Sequence, residues 1–143
     1  MPRTNDWNAA LGCVLLSLCA SLCASGCATE RNSQHAVDLR EQLRAAMQTS
    51  VTSREQRDEQ SRLMRKVVEE DAVDGMTRPE VRAAFGPGLA CTLDVCHKNG
   101  FEETDWYYPI GVNESDKVQQ LPLLLFKFDP HERTVRVFTL TTD

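Results

Sequence analysis

Hydrophobic positions along this chain change their spacing three times, and each change predicts a different kind of element. From Ala9 to Ala24 the residues AALGCVLLSLCASLCA form an uncharged apolar run, flanked by Arg3 upstream and by small residues downstream. That is the layout of an export signal rather than of a membrane span, which needs roughly 20 apolar residues. From Ser33 the spacing becomes helical: Ala36, Leu39, Leu43, Ala46 and Met47 recur as a narrow stripe on an otherwise polar segment free of Gly and Pro. The pattern breaks at Thr49 to Thr52.

Ser53-Arg54-Glu55-Gln56 then reads as a capping box, because the serine hydroxyl can accept from the Gln56 amide while the Gln56 side chain reaches back. The helix it opens is polar for two turns, after which Leu63, Met64, Val67 and Val68 share one face; Arg65 with Glu69 and Lys66 with Glu70 are spaced to pair. Gly75 is placed to end that helix in the left-handed conformation. Thr77 and Glu80 form a second capping box, Pro79 falls in the first turn, and Val81, Ala84 and Phe85 give a short third helix its apolar face. Gly86-Pro87-Gly88 stops it.

Beyond Gly100 the period shortens to two. Thr104 to Tyr108, Leu121 to Phe128 and Thr134 to Thr141 read as strands, with the last two joined into a hairpin by a turn that begins at Asp129-Pro130. Leu124, Phe126 and Phe128 fall on one face, while Val135 and Val137 alternate against Thr134 and Arg136, so one sheet face is expected to be covered by helices and the other to stay partly wet. The expected fold is therefore α+β, with helices packed on one face of a three-stranded antiparallel sheet, preceded by a polar helical segment and a signal peptide. Residues 1–26 form the leader, residues 27–52 a lipid-anchored tether and polar helix, and residues 53–143 the domain. Along the Ser33 to Gln48 stripe a partner helix and a solvated spacer partly packed on its own domain are both open, and the small number of heptads favours the spacer.

Ala24-Ser25-Gly26-Cys27, at the exit of the leader, resembles the bacterial lipobox, in which the cysteine thiol accepts a diacylglyceryl group before cleavage on its amino side. The resemblance makes Cys27 the lipidation site and the membrane the first partner, since two or more acyl chains anchor a protein stably where one does not. Ala28 after the cysteine implies, under the sorting rule of such lipoproteins, delivery to the periplasmic face of the outer membrane. Ordinary secretion with a free Cys27 is the alternative. Acidic residues outnumber basic ones 21 to 16, for a net charge of −5, and no basic patch in the sequence argues for nucleic acid.

GMTRPEVRAAFGP from Gly75, the later Trp106 and Tyr108, and the terminal hairpin with Phe128, Asp129, Arg133 and Val135 together resemble the SmpA/OmlA domain, a small lipoprotein subunit of outer-membrane barrel assembly. The resemblance covers about residues 55 to 140. It implies a non-enzymatic protein-interaction module whose partner is another envelope protein of the barrel-assembly machinery. Domains of this kind also include inhibitors of secreted enzymes, so an inhibitor-like or ligand-binding lipoprotein is the competing expectation.

Candidate chemistry adds little to that picture. Cys91 and Cys96 frame ACTLDVCH within an insertion from Leu89 to Gly100, and in an oxidising compartment they are expected to form a disulfide. A metal site from Cys91, Cys96 and His97 lacks a fourth ligand, and a redox pair would place its cysteines two residues apart. His35, His97 and His131 have no nucleophile-elbow serine to serve. Glu102, Glu103 and Asp105 read as solvent-facing acids at a strand entrance. No catalytic residue, metal or cofactor is expected. Trp106, Tyr107 and Tyr108 are the candidates for partner binding, because aromatic rings with polar tips concentrate at hot spots; their alternation puts Trp106 and Tyr108 on one face and Tyr107 on the other.

Overall fold

The structure is a computed structural model that describes residues 32–113 and 120–141. The leader and Cys27 lie outside the described residues. From Ala36 onward the described elements belong to one compact unit.

Four helices and six strands make up the described residues. Helix α1 spans 32–47. It is followed by β1 (Ser50–Val51), α2 (Arg54–Glu69), α3 (Arg78–Phe85), β2 (Leu89–Ala90), α4 (Asp94–Lys98), β3 (Trp106–Pro109), β4 (Val112–Asn113), β5 (Leu123–Phe128) and β6 (Thr134–Leu140). The fold is α+β, and its main sheet is antiparallel with the order β2-β3-β5-β6. It has four strands rather than the three expected, because Leu89 and Ala90 of the cysteine insertion pair with Tyr107 and Trp106. A two-residue strand carries too short a period to be seen in sequence.

Both capping boxes form as their spacing dictates. Ser53 accepts from the Gln56 amide at the start of α2, and Thr77 accepts from the Glu80 amide at the start of α3, with the Gln56 and Glu80 side chains returning to the cap backbone. Gly75 adopts a positive φ of 67°, yet α2 has already ended at Glu69 and Asp71 takes a left-handed φ of 54°, so residues 70–75 are a turn and not the last turn of the helix.

One sheet face carries the main core. Leu39 and Leu43 of α1, Met64 and Val67 of α2, and Val81 and Phe85 of α3 bury against Tyr108, Leu124 and Phe126. Helix α1 packs into the same core: Leu39 and Leu43 are 1% and 0% exposed, and Arg40 donates to the Ala72 carbonyl at 3.3 Å. A stripe one leucine wide is enough when both leucines, one turn apart, are wholly buried. After α1, β1 pairs in parallel with β4, and Gly111 passes so close that a Cβ there would lie 2.5 Å from Val51 Cγ2 and 2.7 Å from Gln60 Oε1.

The opposite face stays partly wet, as expected, but it carries a small core of its own. Cys91, Cys96, Phe101 and Leu125 form a second buried cluster, with Tyr107, Leu123, Phe138 and Leu140 packed against it. At the β5–β6 hairpin the register shifts between Lys127 and Phe128, so that Thr134 is buried and Val135 is 59% exposed, the reverse of the alternation expected. Thr134 turns inward because its amide and hydroxyl both donate to the Met76 carbonyl, at 2.9 and 2.7 Å.

Candidate functional site

The aromatic triplet of β3 is split by the sheet. Tyr108 is 2% exposed and its hydroxyl donates to the Gly86 carbonyl at 2.9 Å; burial pushes its pKa up to about 12. Its expected place among the partner-binding residues is therefore corrected: it is a core residue that closes the end of α3. Trp106, on the same face, is half-buried. The Arg78 guanidinium lies 4.7 Å from its ring and 4.2 Å from that of Phe128, and Trp106 meets Phe128 edge-on at 5.3 Å. Gly88 lies beneath, where a Cβ would come within 2.6 Å of the indole.

Arg78 is the residue that sequence reasoning passed over. Besides both rings, it donates from Nη1 to the Thr104 carbonyl at 3.0 Å and faces Glu132 at 3.7 Å, while its amide donates to the Glu132 carbonyl at 2.7 Å. It thus joins the start of α3, the entry to β3 and the hairpin turn. Its ring partners Trp106 and Phe128 lie far along the chain, so no local pattern announces the contact.

Asp105 was expected to face solvent with Glu102 and Glu103, but it is 2% exposed. Its carboxylate accepts from the Glu102 amide at 2.8 Å and from the Phe128 amide at 3.1 Å, beside the hairpin irregularity where the ladder fails to satisfy Phe128. A short acid near a strand start suits this capping duty.

Tyr107 points to the other face, half-buried over the second cluster, directly across from Leu89. Here the cysteine insertion lies against the sheet and is tied to it at several points. Cys91 and Cys96 are joined by a disulfide with Cα atoms 5.6 Å apart. Cys91 donates its amide to the Asp105 carbonyl at 3.0 Å, Lys127 donates to Gly100 at 2.7 Å and Arg136 to Asn99 at 3.1 Å, with the Arg136 guanidinium also 5.4 Å from the Phe101 ring. Leu89 and Leu93, in the same segment, remain 49% and 37% exposed. Two large apolar side chains of this segment are thus left facing water, and one of them, Leu89, lies across from Tyr107.

The remaining candidates stay apart. His35 lies on α1, His97 on α4 and His131 in the hairpin turn, all exposed. Among the described residues no group of three or more His, Cys, Asp or Glu is placed to hold a metal ion, and no helix is long and apolar enough to cross a membrane.

The fold and this surface define an α+β protein whose disulfide-pinned insertion leaves two leucines exposed. Comparison with protein-family models, with curated proteins and with solved structures finds no match to the chain.

Proposed function

We propose that this protein is a lipid-anchored, non-enzymatic interaction module of the cell envelope, which binds another envelope protein through the rim formed by Leu89, Leu93 and Tyr107. The exposure of Leu93 within the disulfide-closed loop and of Leu89 on the strand beside it carries the proposal. A loop already fixed in shape loses little entropy on binding, and exposed apolar side chains beside an aromatic ring supply the desolvated contact that hot spots need. The lipobox-like sequence ending at Cys27 supports an anchor on the periplasmic face of the outer membrane. Resemblance to the SmpA/OmlA domain favours a partner in outer-membrane protein assembly.

Crosslinking and affinity purification of the native protein from detergent-solubilised envelopes tests this. Barrel-assembly subunits are expected, with recovery cut at least tenfold by the pair Leu89→Ser and Leu93→Ser, while Cys27→Ala releases the protein from membranes. Wild-type recovery by the double variant would remove the rim from the site. An inhibitor-like lipoprotein is the second reading, favoured by the same disulfide-closed loop; recovery of a soluble secreted enzyme in place of membrane-assembly subunits would establish it.

A further inference from the structure

The arginines of α2 are scattered in sequence, but the helix brings Arg54, Arg57, Arg62 and Arg65 onto one side, where with Thr141, the residue after β6, they line a cleft of about 430 Å³. Four of the sixteen basic residues of a chain with a net charge of −5 are concentrated there. Arg57 is paired with Asp58 at 3.2 Å. Among the described residues, the side chains of Arg62 and Arg65 make no salt bridge or hydrogen bond, and Arg54, Arg62 and Arg65 are exposed. The cleft is large enough for a ligand, yet its walls are charged, which excludes the apolar small molecules that clefts of this size usually hold.

We infer that this cleft binds an acidic, extended protein segment. Guanidinium forks match carboxylates two bonds at a time, and the four arginines are spread along the length of the cleft rather than gathered at one point. At 1.5 Å of rise per residue, Arg54 to Arg65 spans about 16 Å along the helix, and side chains on one face of an extended chain recur about every 6.8 Å, so three alternate carboxylates fit the row. A lone phosphate would engage only one pair of these arginines. A nucleic-acid strand fits worse: Glu55 and Asp58 also line the cleft and would repel a continuous phosphodiester, and no aromatic residue lines it for bases to stack on. A peptide can instead set its backbone amides against those two carboxylates.

The site is independent of the Leu89 and Leu93 rim, and the test keeps the two apart. Fluorescence anisotropy would be measured on the full chain with labelled octapeptides (Thr-Glu)4 and (Thr-Lys)4, whose charged side chains all lie on one face when extended. Saturable binding of the Glu peptide alone is expected, weakened at least tenfold by the pair Arg62→Glu and Arg65→Glu, less by Arg62→Gln with Arg65→Gln, and by raising salt from low to physiological strength. The pair Leu89→Ser and Leu93→Ser leaves it unchanged. Circular dichroism checks that the variants fold, and if the Glu pair does not, the Gln pair decides. Equal binding of both peptides, or Glu-peptide binding indifferent to the arginine substitutions, overturns the proposal. So does tighter, arginine-dependent binding of a single-stranded oligonucleotide or of phosphatidylglycerol vesicles.

Discussion

The two faces of the main sheet are packed by different means. On one, three helices bring aliphatic side chains from α1, α2 and α3 onto Tyr108, Leu124 and Phe126, and no covalent bond is involved. On the other, a short insertion with a helix of five residues covers Leu125, and a disulfide and several side-chain-to-backbone hydrogen bonds hold it there. The difference comes from size. Helices of sixteen and eight residues bury enough apolar area to be held by it. A segment as short as Leu89 to Gly100 does not, and restricting its unfolded freedom replaces the missing area.

The largest expected effect separates the faces most clearly. Leu43→Ala, which empties a fully buried position on α1, is expected to cost about 2–5 kcal/mol in urea unfolding. A change near zero would mean that α1 is a solvated spacer after all. Next comes the covered face: replacing Cys91 and Cys96 with Ser should cost about 2 kcal/mol for so short a loop. Hydrogen exchange should then show protection lost at Phe101 and Tyr107 while the buried amides of α2 and α3 keep theirs. Uniform loss would show that the two clusters unfold as one unit.

The smallest effect is electrostatic and belongs to the helical face. Hydrogen bonds from the Thr77 backbone and hydroxyl hold the Glu80 carboxyl below the usual carboxylate range. Its contribution to stability is therefore complete above pH about 4.5 and is lost as pH falls through the lower folded value. Glu80→Gln should lower the thermal midpoint slightly at pH 7, and the gap to wild type should narrow progressively as pH falls below 4.5.

Much of the fold was legible because its signals are local. Ser53 with Gln56, and Thr77 with Glu80, are three residues apart, and only the helix start satisfies both members of each pair. The β5–β6 hairpin was legible for the same reason: the Asp129 carboxylate accepts from the His131 and Arg133 amides within its own turn. The candidate site was legible only in part. The spacing of Cys91 and Cys96 announced a closed loop, and alternation separated Tyr107 from its neighbours. That Leu89 would face Tyr107 across a fourth strand, or that Arg78 would cover Trp106, depends on residues far apart in sequence.

By itself the sequence determined the α+β class, the capped starts of α2 and α3, the hairpin and the alternation of β3 and β5, since each rests on periodicity or on bonds spanning a few residues. Tertiary structure alone decided that Leu39 and Leu43 belong to the core, that Asp105 is buried, that Val135 faces out and that the second sheet face carries a small buried cluster. Each of these outcomes depends on which distant surface arrives to exclude water or to supply a hydrogen-bond partner, and neither hydrophobicity nor spacing along the chain carries that information.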